Sequence, residues 1–448
     1  MSYKPFLFAD SSPEGVNSPE YREFVDRTVL SSGLRLLLER RKRRPDFPYP
    51  DTKFNPNTGE DYPSSSYELL FTWFLGRGSE ACTSHLSVID SIRGIADVRE
   101  ESKAMLEEYR RNQNEALIEI LQANGGRIPF RVNRVFEGVD ASGKRVSLSA
   151  EGCNASELFA AKALIAGGDS GEREIGIKLF RRFLDSALSN GYEDDTASYG
   201  RHLHAESPFM LSFALFRYLV GTEPSVSDLT EWARLAETLL HYVLDNFWEE
   251  DSRRFFELID FGTKKKDPFY LPGHACELVG LGLQAVSVIE GAAAGLSAAD
   301  QPDNKSFELG TFTAAKRELL RILLTAYDTG YDHKHGGMLQ AINPLNGDVL
   351  NNDLPWWCLP EAMRAALYAY EAAEEAELRT RFLVIFTTAS NDYFSYYPNP
   401  AAGLFPFRTR SGDTGEVRNF MPVVPEADPL YHSNISFIDM LSVLGRFR

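Results

Sequence analysis

An all-α fold of the (α/α)6-barrel kind is what this 448-residue chain predicts. Three observations carry the expectation. Helical periodicity runs through nearly the whole length. The helices are of two kinds, polar-faced and enclosed, and the two kinds alternate. Six such pairs follow one another, four of them with a short β-like segment between the two helices.

The periodicity predicts about twelve helices, near 19–41, 66–78, 102–124, 153–167, 170–190, 206–221, 228–248, 273–291, 312–328, 355–372, 374–394 and 432–446. TEWARLAETLLHYVLDNFWEE (230–250) spaces its apolar residues i, i+3, i+4, i+7, with Ser227 as the predicted N-cap and Asp228 and Glu231 in the first turn. ACELVGLGLQAVSVIEGAAAG (275–295) is instead apolar almost all round, as a helix covered on every side must be.

The β-like segments 124–149, 251–261, 335–349 and 403–417 each lead into an enclosed helix, and Gly-Gly, Asn-Gly and Ser-Gly-Asp supply their turns. Units around 66–78 and 206–219 bring the total to six. One such unit cannot bury its apolar face alone, so neighbours must stack. A closed ring is expected over an open solenoid, whose concave face would leave the enclosed helices wet. The whole of 1–448 reads as one such domain, with irregular extensions at 1–18 and 44–65 and a surface loop at 294–308.

Composition narrows the class. Hydrophobic residues make up 43% and charged residues 25%, ordinary values for a globular protein. A net charge of −17 argues against nucleic acid, which needs a basic surface to release counterions. The runs Arg40–Arg44 and Lys264–Lys266 read as solvated surface. No uninterrupted apolar stretch reaches the roughly 18–20 residues of a membrane span, and the first residues lack the features of a secretion signal. Cys82, Cys153, Cys276 and Cys358 form no CxxC pair and read as reduced, buried thiols. A cytoplasmic location, a monomer or homodimer and a small-molecule partner are the resulting expectations. An aromatic content of 12% suits a stacking pocket and a large helical core equally well.

In a closed barrel the pocket lies where the inner helices begin. Polar residues on those first turns are Arg77, Glu157, His274, Glu277, Glu361 and His432, with Trp356 and Trp357 beside them and Asp353 and Arg418 just upstream. His274 and Glu277 are three apart and share a helix face. Two histidines converging from different inner helices make a pair of proton-transfer groups that titrate near neutral pH. Arg77, in an otherwise apolar run, needs a partner, and Glu361 is the expected one. His335 reads as a turn residue, His85 and His241 as packing or surface residues. His202 and His204 lack the further ligands a metal site requires, so no metal is predicted. No P-loop, GxGxxG or Gly-x-Ser-x-Gly motif occurs.

PGHACELVGLGL (272–283) resembles the Pro-Gly-His-x-x-Glu stretch of the N-acylglucosamine 2-epimerase superfamily. DTGYDHKHGGML (328–339) with WWCLPEAMRAALYAY (356–370), LYHSNISFIDML (430–441) and WFLGRGSEA (73–81) resemble further segments of that family, in order over most of the chain. The resemblance implies an (α/α)6 barrel and cofactor-independent epimerisation or aldose–ketose isomerisation of free sugars. By position it implies His274 and His432 as the proton-transfer pair, with Arg77, Glu277 and Glu361 orienting sugar and imidazoles. The chain departs from the family at Leu211, where isomerase and disaccharide-acting members carry His, at Leu354 and Cys358, and around Glu80 and Ser84. A glycoside hydrolase would instead need two carboxylates flanking one bond, drawn from Glu157, Glu277 and Glu361. A non-catalytic sugar-binding barrel is the third reading.

Overall fold

The computed structural model describes residues 3–149, 151–193, 203–221, 225–296, 312–399, 408–418 and 428–447. His202, most of the expected loop at 294–308 and positions 403–407 of the last β-like segment lie outside the described residues.

Helix α1 (Pro19–Val25) widens through a π turn at Asp26–Leu30 into α2 (Ser31–Arg43). Then come α3 (Thr72–Val88), α4 (Arg99–Ala123), α5 (Ala155–Gly167), α6 (Ser170–Leu188), α7 (Ser207–Phe213), α8 (Phe216–Leu219) and α9 (Val226–Phe247). The rest are α10 (Pro272–Gly295), α11 (Phe312–Gly330), α12 (Cys358–Ala372), α13 (Ala376–Tyr396) and α14 (Ser436–Leu444), the last preceded by a π turn at Tyr431–Ile435.

The inner ring is α3, α5, α7–α8, α10, α12 and α14. Each packs on the next, and α14 with its π turn packs back on α3, which closes the ring. Helices α4, α6, α9, α11 and α13 lie outside, against the inner set. The two kinds of sequence explain the two layers. In α9 the buried residues Leu229, Trp232, Ala236, Leu239, Leu240, Val243 and Phe247 form one stripe, whereas α5 is buried almost continuously from Ser156 to Ile165. The N-cap of α9 is Ser225, not Ser227; its hydroxyl accepts from the Asp228 amide at 3.1 Å.

Helix α3 departs most from expectation, starting at Thr72 and running to Val88 rather than spanning 66–78. Leu70–Phe71 is taken up in a strand pair with Arg131–Val132, which delays the start. The helix then continues through polar residues that look like a loop in sequence. They are buried and partnered instead: Ser79 donates to Asn114 at 2.6 Å, and Glu80 meets Lys162 at 2.8 Å. Gly76 lets α3 approach α5, since a Cβ there would lie 2.6 Å from the Phe159 backbone.

The short strands also join successive units. Leu203–Ala205 pairs with Leu258–Asp260, and Asp353–Leu354 with Arg410–Ser411, besides hairpins such as Trp248–Glu249 with Arg254–Phe255. They form a rim above the beginnings of the inner helices.

One composition reading is corrected. Arg40 is not solvated surface: it is 3% exposed and bonds Asp51 at 2.7 Å and Asp61. Helix α10 is long and apolar enough to cross a membrane by length and composition, but 61% of its most apolar window is buried among other helices. All four cysteines are free and buried, and burial pushes the Cys82 and Cys153 thiols up to about 12.

Candidate active site

Helices α10 and α12 and the π turn before α14 bring two imidazoles against one indole. The Trp357 ring centroid lies 5.4 Å from that of His274 and 5.7 Å from that of His432. Each imidazole is held at Nδ1 by a buried carboxylate. His274 Nδ1 lies 2.9 Å from Glu257 Oε1, and His432 Nδ1 lies 2.8 Å from Glu361 Oε1. A carboxylate at Nδ1 fixes the ring and its tautomer, leaving Nε2 as the nitrogen that meets a substrate. Burial alone would push the His274 pKa down, but the charge and hydrogen bond of Glu257, helped by Glu277, carry it above its ordinary value.

Local sequence explains both placements. Pro272 opens α10 and brings His274 into its first turn, while Gly273 leaves room for the indole: a Cβ there would meet Trp357 at 2.8 Å. His432 sits in a π turn after Leu430, which adopts a left-handed φ of 65°. Asp428 holds that turn through the Tyr431 amide and the Ser433 amide, the latter at 3.0 Å.

Glu361 is the hub of a buried network. It also bonds Ser436 at 3.0 Å and Arg364, and Arg364 reaches Asp439 at 3.4 Å. Burial would raise the Glu361 pKa, but Arg364 and His432 hold it below the ordinary carboxylate value. The expected Arg77–Glu361 pair is thereby corrected: Arg364, one turn along the same helix, takes that role. Arg77 lies instead in an aromatic cage, its guanidinium carbon 4.5 Å from the Trp73 ring, 4.7 Å from Phe159 and 4.8 Å from Tyr431. Glu277 is buried near both dyads, and one of its oxygens has no hydrogen-bond partner among the described residues.

The remaining predicted residues separate. Glu157 belongs to the capping box of α5, and its carboxylate takes Arg127 at 2.5 Å and also Arg182, so it faces cations of the wall rather than the histidines. Trp356 is packed in the core at 1% exposure. Arg418 stands on the rim, bonded to Asp353 at 2.8 Å. Sequence reasoning missed Glu257, Arg364 and Lys162, and also Glu206. Lys162 is a lone charge in the apolar stretch LFAAKALIA, the signal that would have found it; Glu206, Glu257 and Arg364 have polar or charged neighbours and carry no such mark.

Two trios, Glu206–Glu257–His274 and Glu277–Glu361–His432, bring donor atoms within 4.8 Å of one another. In both trios the imidazole Nδ1 already shares a proton with a carboxylate at hydrogen-bond distance, and Glu361 also neutralises Arg364.

At the opposite end of the ring, a cavity of about 700 Å³ is lined by Arg217, Gln284, Tyr368, Asp439 and Arg446 among others. Its lining includes Asp439, which Arg364 links to Glu361, so the cavity lies behind the Glu361–His432 dyad, towards the ends of the inner helices.

No family model and no curated protein matches the sequence. Solved structures do match over nearly the whole chain. A sugar epimerase from a ruminal bacterium is similar with a TM-score of 0.64 at 11% identity, covering 94% of this chain and 98% of its own. A cellobiose 2-epimerase from Bacillus thermoamylovorans B4167 has a TM-score of 0.63 at 12% identity, covering 95% and 98%. A D-mannose isomerase has a TM-score of 0.57 at 13% identity, covering 98% and 100%. What these likenesses establish is architecture: the chain folds as the (α/α)6 barrel that these sugar epimerases and the isomerase share.

Proposed function

We propose that this protein is a cofactor-independent sugar epimerase acting at C2 of an open-chain aldose. The observation that carries the reading is the pair of carboxylate-held imidazoles gathered at Trp357. One histidine takes the C2 proton through Nε2, giving an enediolate; the other returns a proton to the opposite face. Arg77, caged by aromatic rings, stabilises charge developing on the carbonyl oxygen, and Glu277 orients sugar hydroxyls. Trp357 gives the sugar an apolar face to lie against. The net charge of −17 favours neutral sugars over anionic ones.

Aldose–ketose isomerisation is the sister reading, using the same groups with the proton returned to C1. The similarity to a D-mannose isomerase supports keeping it. The hydrolase reading loses support because Glu157 and Glu361 are both consumed by arginines. Incubating aldoses in deuterated water decides between the two leading readings. Label at C2 of an epimeric aldose supports epimerisation, and a labelled ketose supports isomerisation. No exchange across a broad aldose panel would overturn both.

A further inference from the structure

Glu206 and Glu257 are brought together by strand register. Leu203–Ala205 runs antiparallel to Leu258–Asp260 with Ala205 opposite Leu258, and one step on, the Glu206 amide donates to the Glu257 carbonyl at 3.0 Å. Glu206 also occupies the N-cap position of α7, where a carboxylate ordinarily accepts from the first amides of the helix. Its side chain makes no such bond.

The environment is fully buried. Glu206 has no exposed surface, and neither of its carboxylate oxygens has a partner among the described residues; the same is true of Glu257 Oε2. A carboxylate oxygen of each residue lies within 4.8 Å of the other. Two carboxylates in one buried place cannot both be charged. Glu257 is committed to His274 at 2.9 Å, so the proton belongs on Glu206.

We propose that Glu206 is a positioning residue, the neutral acid partner of the Glu257 carboxylate, which through Glu257 fixes the protonation of His274. Among the described residues, the other charged groups facing this place are Glu277, on the helix of His274, and Arg77 from α3, which opposes the carboxylates. Burial, then Glu257, then Glu277 drive the Glu206 pKa well above the usual carboxylate range. A proton on Glu206 prevents a second negative charge beside Glu257 and gives that carboxylate a donor. The proposal deepens the assignment of His274 as a proton-transfer group and rests on it for its kinetic consequence alone.

Two measurements need no turnover. Infrared difference spectra of parent against Glu206→Gln at neutral pH should show the carbonyl band of a protonated carboxylic acid, present in the parent and lost in the variant. Histidine titration by NMR should leave His274 within a few tenths of a unit in Glu206→Gln, while Glu257→Gln lowers it by about one unit or more. Kinetically, Glu206→Ala should lose roughly tenfold in kcat/KM, matching a one-unit change in His274, and Glu206→Gln should restore most of it. Absence of the acid band from the parent, or a fall in His274 pKa in Glu206→Gln as large as in Glu257→Gln, overturns the proposal. Failure of all sugars to exchange would count against the epimerase reading and leave both spectroscopic results standing.

Discussion

Lys162 Nζ lies 2.5 Å from the hydroxyl oxygen of Tyr431 and 2.8 Å from a Glu80 carboxylate oxygen, with none of the lysine side chain exposed. The contact ties α5 to the residue next to His432. Burial pushes the Lys162 pKa down, and Glu80 opposes it. Lys162→Met leaves Glu80 buried and uncompensated, which should cost about 3–5 kcal/mol in urea unfolding. Replacing both residues with apolar ones should recover most of that loss, and a parent-like midpoint in the single variant would show the pair to be dispensable.

His274→Ala and His432→Ala should each slow hydrogen exchange at C2 by about 10²–10⁴-fold, with little change in KM. Exchange at the parent rate in either variant would remove that histidine from the chemistry.

Glu361→Gln tests the second dyad. His432 then loses its charged acceptor while its ring keeps a neighbour of the same shape, so kcat should fall by about 10²-fold. Ser436→Ala removes only a neutral donor to the same carboxylate, and its effect should be limited to about 0.5–1.5 kcal/mol of stability. Equal kinetic losses in the two variants would mean that the network, rather than the charge, matters.

Two buried histidines make acid stability measurable. Burial pushes the pKa of His85 down to about 4 and that of His204 to about 4, below the value near 6.5 of the unfolded chain. The unfolded state therefore binds more protons between these values. Their contribution is fully present above pH 6.5 and is lost progressively as pH falls towards 4. Thermal melts across that window should show a falling Tm, and His85→Gln should flatten the slope; an unchanged slope would place the acid sensitivity elsewhere.

Gly273→Ala forces a methyl group against the Trp357 ring and the Cys358 sulfur, which a Cβ would approach at 2.5 Å. The indole must move, and both imidazoles lean on it. Overpacking of this kind costs about 1–3 kcal/mol, and altered Trp fluorescence with lost exchange activity is the expected pair of readouts.

Six repeats, two helix classes and ring closure were all legible, because apolar periodicity is written locally in each helix. The start of α3 was not. Leu70–Phe71 finds its strand partner at Arg131–Val132, and Ser79, Glu80 and His85 find theirs on other elements, so the local pattern misleads. Both histidines and Glu361 could be named from helix position. Their partners could not: Glu257 reaches His274 from a hairpin, and Arg364 takes the place expected of Arg77 at Glu361 through a one-turn spacing common to many helices.

The closure of α14 onto α3 has a consequence for how the chain becomes competent. Asn434 meets His85 at 3.1 Å across 349 residues, and beside this the Tyr3 hydroxyl bonds the Phe394 carbonyl of α13 391 residues away, so the seam joins distant parts of the sequence. Contacts of that separation form late and slowly in folding. His432 sits at this seam, immediately before α14. Helices α3 to α12 can stack in sequence without it, but Trp357 then has only one of its two imidazoles beside it. The appearance of catalysis during refolding would thus time the sealing of the ring, trailing the helical signal that the earlier units supply.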